Sequence, residues 1–510
     1  ASRFAVGIEN GKRTNSAQGG NDVNSVIASY NGQYYYNGSG GSYMSSLSNG
    51  NIVQVAMDVD NQLVFIGINN TWQNSATASE IVAATATNSL GAKVSATAAT
   101  LFQDDMGIFT EDNSGSAAMA SIANFGQDSS FAGNHATANS NADGNGHGSF
   151  AYAPPSGFLA LCSQNLPDAA IIDGTENFNT VLYTGNASTN AITGVGFSPD
   201  WVWTKSRGSG SHSSIDAVRG RSKMIFQNLT NAEATSDSDK DLVSFDSDGF
   251  TLGANQQATI NNNSQTFVAW NWLAGTAFSN SSGSNGANVD SSGQVNTTAG
   301  FSIVSWQYTT SADNLIAHGL SSAPEMMIVK SRTTAYNWDI YHTGLSDPTS
   351  KRLIFTNGAE IAGFFDTNPT STVFEYNTSA ASNNDNMIAY CFHSVLGFSA
   401  VGSYTGNNGT TFVNTGFRVA WLLIKSVSQG SGANWGIFDN TRPDGTGATS
   451  GVKFLQADLT NAEGVSSTVS CFFFSNGFEI GTSNVMSNSS GDNFIYLAFA
   501  DQPFKFSNAR

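Results

Sequence analysis

The alternation of apolar and polar positions along the chain predicts strands almost everywhere and helices almost nowhere. The segment NIVQVAMDVDNQLVFIGINNTW, residues 51–72, alternates on both sides of Asp60-Asn61-Gln62, as a long β-hairpin does. Three later runs, WVWTK, MMIVK and WLLIK, end at Lys205, Lys330 and Lys425 and are apolar at consecutive positions. Such a run predicts a central strand covered on both faces. Each is followed, after several turns, by a closing apolar run: FVAWNW at 267–272, MIAYCFH at 387–393 and FIYLAFA at 494–500. Only the short Ala-rich stretches 81–86 and 117–123 have any helical character.

These landmarks recur in one order. The pentapeptide LTNAE occurs at 229–233 and again at 459–463, each time preceded by a lysine-ended run and followed by a Gly-Phe strand (SDGFTLG, SNGFEIG). A more diverged copy lies between them, with LIFTNGAEIAGFF in the place of LTNAE. Fixed order at similar spacing is the mark of an internal repeat. The resulting division is 1–175 for a first domain, 176–278 for repeat 1, 279–300 for a linker, 301–396 for diverged repeat 2 and 397–510 for repeat 3. The linker follows from composition, since 279–300 is nearly all Ser, Gly, Asn and Thr. Turn signals every 8–12 residues make each repeat a small antiparallel β-sandwich.

Composition narrows the function classes. Charged residues are 11% of the chain, against about a quarter in ordinary globular proteins. The net charge is −18. An acidic surface repels phosphate backbones, so no nucleic-acid partner is expected. No stretch has the 18 consecutive apolar residues of a membrane-spanning helix, and no membrane partner is expected. The chain starts at Ala1 without a Met, which suggests processing or a piece of a longer protein. Cys162, Cys391 and Cys471 each sit in an apolar run, where a free Cys acts as a small hydrophobe.

The 51–72 hairpin, Asn124-Phe125-Gly126 and YAPPSGFLAL at 152–161 resemble a SPRY domain, a concanavalin-like β-sandwich, of the type found in tail-fibre and other structural proteins of marine bacteriophages. NTGFRVAWLLIKSV, NWGIFDNTR, LTNAEG, SNGFEIG and YLAFADQPF are similar to a repeat domain that follows such a unit in those proteins. The resemblance implies an all-β chain: a SPRY/concanavalin-like β-sandwich followed by three related, smaller antiparallel β-sandwich repeats. It also implies a non-enzymatic virion protein, such as a tail fibre attached to host-surface glycans. A purely architectural capsid or fibre spacer and a glycan-degrading tailspike are the alternatives. Other virion proteins, and a homo-oligomer such as a trimer, are the implied partners. A SPRY sandwich normally carries an aromatic-rich strand before its Val-Gly strand, yet FAVGI begins at Phe4. An open sheet edge beside FAVGI, filled by a neighbour or by upstream sequence, is therefore expected.

The candidate chemistry is sparse. Asn139-x-Asn141-x-Asp143-Gly144 mimics half a calcium loop, but Phe150 stands where the bidentate Glu belongs, so a turn is the better reading. Asp104, Asp105, Glu111 and Asp112 form the one dense acidic patch and read as a solvated loop. His135, His147, His212, His318, His342 and His393 are scattered, with no HExxH motif and no GxSxG elbow. No catalytic residue, metal ligand or cofactor is assigned. Asn337-Trp338 and Asn434-Trp435 occupy matching places in repeats 2 and 3 and are the carbohydrate-binding candidates. A ring face stacks on sugar C–H bonds, and an amide takes hydroxyls. The same tryptophans also suit a core.

Overall fold

The computed structural model describes residues 4–10, 19–20, 25–90, 106–112, 121–135, 139–165, 171–311, 313–443, 452–464, 469–481 and 484–501. It is all-β and divides into two compact units, Ala1–Pro167 and Asp168–Arg510.

In the first unit the hairpin falls where the alternation placed it, Val53–Asp58 pairing with Leu63–Ile68. Gln62 takes a positive φ of 59° in the turn. Leu63–Ile68 is buried along its whole length. Val64 and Ile66 pack with Val6, Ile8 and Val26 on one side. Leu63 and Phe65 meet Ala56 and Ile81 on the other. Ile81 belongs to the one-turn helix Ala78–Val82, which starts at a capping box of Thr77 and Glu80. The Ala-rich stretch at 117–123 falls mostly outside the described residues.

The expected open edge is not found. Phe4–Asn10 pairs with Ser25–Ser29 on one side and with Met106–Asp112 on the other. The second partner includes Glu111 and Asp112, so that part of the supposed acidic loop is a strand. Asp104 and Asp105 lie outside the described residues. In the calcium-like turn, the Asp143 carboxylate accepts from the backbone N–H groups of Asn145, His147 and Ala160 and from Asn165 Nδ2. The carboxylate thus ties the turn to the segment around Ala160 and Asn165.

The second unit holds the three repeats, and their main sheets share one topology. In each, the lysine-ended strand lies between the closing strand and the strand that follows it in sequence. The registers coincide: Trp201 pairs with Trp272, Met326 with Phe392 and Trp421 with Phe499. Lys205, Lys330 and Lys425 therefore occupy one structural position. The linker, in contrast, is not one. Residues 279–300 contribute to the hairpin of Thr276–Asn280 and Ser291–Asn296, which extends the main sheet of repeat 2. Gln294 and Asn296 in it bond to Asp200 and Asn177 of repeat 1.

Consecutive burial of the lysine-ended strands has a specific cause. Alternate residues Val202, Met327 and Leu422 point into the three separate sandwich cores. Trp201, Trp203, Met326, Ile328, Trp421 and Leu423 point the other way, into one core shared by all three repeats. Ring stacking fills that centre, Trp201 lying 4.2 Å from Tyr390 and 4.3 Å from Trp272 between centroids. Buried aromatic pairs of this kind contribute about 0.5–1.5 kcal/mol beyond area burial. Cys391 and Cys471 are free and sit in the separate cores of repeats 2 and 3.

The LTNAE segments close the ring. Glu233 of repeat 1 takes a bidentate hydrogen bond from Arg332 of repeat 2, at 2.8 and 3.1 Å. Glu463 of repeat 3 takes the same from Arg207 of repeat 1, at 2.9 and 2.7 Å. Their backbone N–H groups donate to the Arg332 and Arg207 carbonyls. At the remaining seam Glu360 N–H donates to the carbonyl of Val427, which stands in the arginine position. Each repeat thus grips the next head to tail, and the third grips the first. A heterologous contact whose rotation closes makes a ring, here within a single chain.

Candidate ligand-binding site

The ring places matching side chains against matching carbonyls at every seam. Trp338 Nε1 donates to Phe226 O at 2.8 Å, and Trp435 Nε1 donates to Ile354 O at 2.9 Å. The third equivalent is His212, whose Nε2 lies 2.9 Å from Gln456 O. Because His212 Nδ1 accepts from Trp203 Nε1, Nε2 carries the proton and donates. Burial and the nearby Lys205 push the His212 pKa well below its usual value, so it stays neutral.

This geometry corrects the stacking role expected of the tryptophans. Trp338 is 2% exposed and Trp435 is 1% exposed, both inside the shared core. Both rings pack within the shared core, and each indole N–H is spent on a neighbouring repeat's carbonyl. Their asparagine partners fare differently. Asn337 and Asn434 are half-buried and line the same pocket, of about 300 Å³, where all three repeats meet.

Repeat 1 contributes Gln227, Asn228, Leu229 and Thr230 to that pocket, the start of its LTNAE segment included. Repeat 2 adds Asn337, Trp338, Phe355, Thr356 and Asn357, and repeat 3 adds Asn434, Asp458 and Leu459. Asn228, Thr356 and Asp458 are equivalent positions, two residues beyond the carbonyls just described. The separate sites suggested by two Asn-Trp pairs therefore converge into one site per ring. Within the described residues the amides of Asn337, Asn434 and Asn357 are left to the pocket, with no protein hydrogen bond.

One lysine position supports the site electrostatically. Asp458 accepts from the Trp435 backbone N–H at 3.0 Å. Burial raises its pKa to about 6, against the pull of that N–H and of Lys425. Burial also lowers the Lys425 pKa to about 8. Lys425 Nζ donates to Ala433 O, next to Asn434. Lys205 and Lys330 reach across their seams instead, to Asn461 O and Thr230 O in the LTNAE segments.

Gln227 was not singled out by sequence reasoning. It is 2% exposed, and neither its Oε1 nor its Nε2 has a hydrogen-bond partner. The available signal lay in the internal alignment: Phe355 and Ala457 fill the equivalent places, so a glutamine breaks an apolar position. Among the described residues no group of three or more His, Cys, Asp or Glu side chains is placed to hold a metal ion. The arrangement offers amides, hydroxyls and one carboxylate around a space at the small end of the usual ligand-pocket range of about 300–1,000 Å³.

A family model described as a domain of unknown function (DUF7483) matches residues 173–503. That span takes in all three repeats together, which is the ring rather than one sandwich. No curated protein and no solved structure matches the chain.

Proposed function

The chain belongs to the DUF7483 family, and we propose that it is a non-enzymatic structural protein of a bacteriophage virion, a tail fibre or similar appendage, that attaches to host-surface glycans. The observation carrying this reading is the seam pocket, where Asn337, Asn434 and Asn357 present unused amides beside the unpartnered Gln227. Amides and hydroxyls on a surface poor in charge suit a neutral polyhydroxyl ligand better than an ionic one. The SPRY-like order of motifs in the first unit supports a virion setting.

Such contacts compete with water, and each hydrogen bond nets only about 0.5–1.5 kcal/mol. One pocket of this size therefore binds a sugar unit weakly. Useful attachment comes from many chains on one particle, since tethered copies raise avidity by roughly 10²–10⁴. The test is binding of the purified chain to isolated host-surface polysaccharide, in low and high salt and before and after mild periodate. Binding that survives salt and is lost after periodate, with polymer length unchanged, is expected. Shortened polymer would point to a glycan-degrading tailspike, and absence of binding to an architectural spacer.

A further inference from the structure

We propose that the outer sheet of repeat 3 is a docking face for a basic protein segment, which lays the alkyl stem of an arginine or lysine across Phe412 and Phe474 and brings its charge to Glu479. This face shares no residue with the seam pocket and stands apart from the glycan reading.

The sheet consists of Thr411–Asn414, Gly477–Gly481 and Ser470–Phe474, in that order. Val413, Cys471, Phe478 and Ile480 point into the core of repeat 3. Phe412, Phe472, Phe474 and Glu479 alternate with them and share the opposite face. Phe412 is 45% exposed and Phe474 44%, their ring centroids 6.1 Å apart. They meet over Gly477, where a Cβ would come within 2.9 Å of Phe412 Cζ. Phe412 and Phe472 both pair with Glu479, so a phenylalanine stands on each side of the central carboxylate.

The fold does not require these aromatics. Repeat 1 builds the same sheet with Ala191, Ser244, Asp246 and Thr251 at the four positions, and there Thr251 Oγ1 donates to Asp246. The counterpart of Glu479 in repeat 2 is Glu375, which accepts from Asn377 Nδ2 at 2.8 Å. Among the described residues Glu479 has no hydrogen bond and no ion pair. The face therefore combines an exposed aromatic pair with an unanswered negative charge. A purely apolar partner would bury that charge unpaired, which is costly. A cation on an apolar stem satisfies both features, packing on the rings and pairing with the carboxylate. The net charge of −18 draws a basic partner to the chain and repels an acidic one.

The experiment is a fluorescence-anisotropy titration of the full chain with a labelled Gly-Leu-Arg-Leu-Gly peptide and with the same peptide carrying citrulline for arginine. The arginine peptide should bind saturably and about tenfold tighter than its neutral isostere. Phe412→Ser, Phe474→Ser and Glu479→Gln lie at exposed or half-buried positions and should keep the parental Tm. Each should weaken the arginine peptide about fivefold to tenfold. Glu479→Gln should also erase the preference for arginine over citrulline, and it serves if a phenylalanine variant does not fold. No saturable binding, equal affinity for the two peptides, or affinity unchanged in the variants that fold overturns the assignment. So does self-association of the parent that Phe474→Ser abolishes, since the occupant is then a second copy of the chain. Binding to host polysaccharide should be unaffected by all three substitutions; its loss would make this face a glycan platform instead.

Discussion

At the scale of single residues, the two tryptophans separate what sequence can show from what it cannot. Their equivalence was legible, since Asn-Trp follows the lysine at a similar distance in repeats 2 and 3. Their role was not, because the carbonyls that satisfy Trp338 and Trp435 belong to other repeats, 112 and 81 residues away. Removing either ring should therefore act on stability. Trp338→Ala and Trp435→Ala should each cost about 3–5 kcal/mol in urea unfolding, the usual range for a buried aromatic. Trp338→Phe keeps most of the volume but leaves Phe226 O unpaired, and should cost about 1–3 kcal/mol. Near-parental stability in the alanine variants, accompanied by lost sugar binding, would restore the stacking role. Gln227 escaped notice for a related reason: a polar residue in a Ser- and Asn-rich chain stands out only once its two counterparts are known to be apolar.

Among elements, strands that bury both faces announced themselves, and half-exposed ones did not. Thr276–Asn280 is mostly exposed, and Ser291–Asn296 is buried at only two positions, so neither carries an apolar stripe and composition alone made them a linker. Met106–Asp112 was hidden because its sequence ends in two carboxylates. The LTNAE elements were recognisable as a repeat, yet their work as clasps depends on Arg207 and Arg332 in neighbouring copies. The three seams should differ accordingly. Glu233→Ala and Glu463→Ala each remove a bidentate, charge-assisted pair and should cost about 1.5–3 kcal/mol. Glu360→Ala removes bonds to Ser346 only and should cost about 1 kcal/mol or less; equal losses at all three would refute the distinction.

The lysine position is an element-scale feature with a pH signature. Burial lowers the pKa of Lys205, Lys330 and Lys425 to about 8, whereas an unfolded lysine titrates near 10.4. Between those values the unfolded chain binds more protons, so this contribution to stability rises with pH. Cys391, pushed up by burial to about 12, works in the opposite direction above its unfolded pKa. Comparison with Lys330→Met isolates the lysine. The unfolding free energy of the parent relative to this variant should increase from pH 7 to pH 10, and a flat difference would contradict the assignment.

For the whole molecule, the repeats are parts of one object. Three sandwiches each keep a core of their own, but their other sheet faces meet in a common centre, and head-to-tail clasps close the circle. The chain thereby builds a ring of three repeats, and with it a pocket that no single repeat contains. The most direct measurement is a crystal structure of the full chain soaked with the sugar that binds best in solution. The account predicts one sugar per chain, seated where the three repeats meet, with hydroxyls on Asn337 and Asn434. Sugar bound on the outer loops of individual repeats, with the seam pocket left unoccupied, would contradict it.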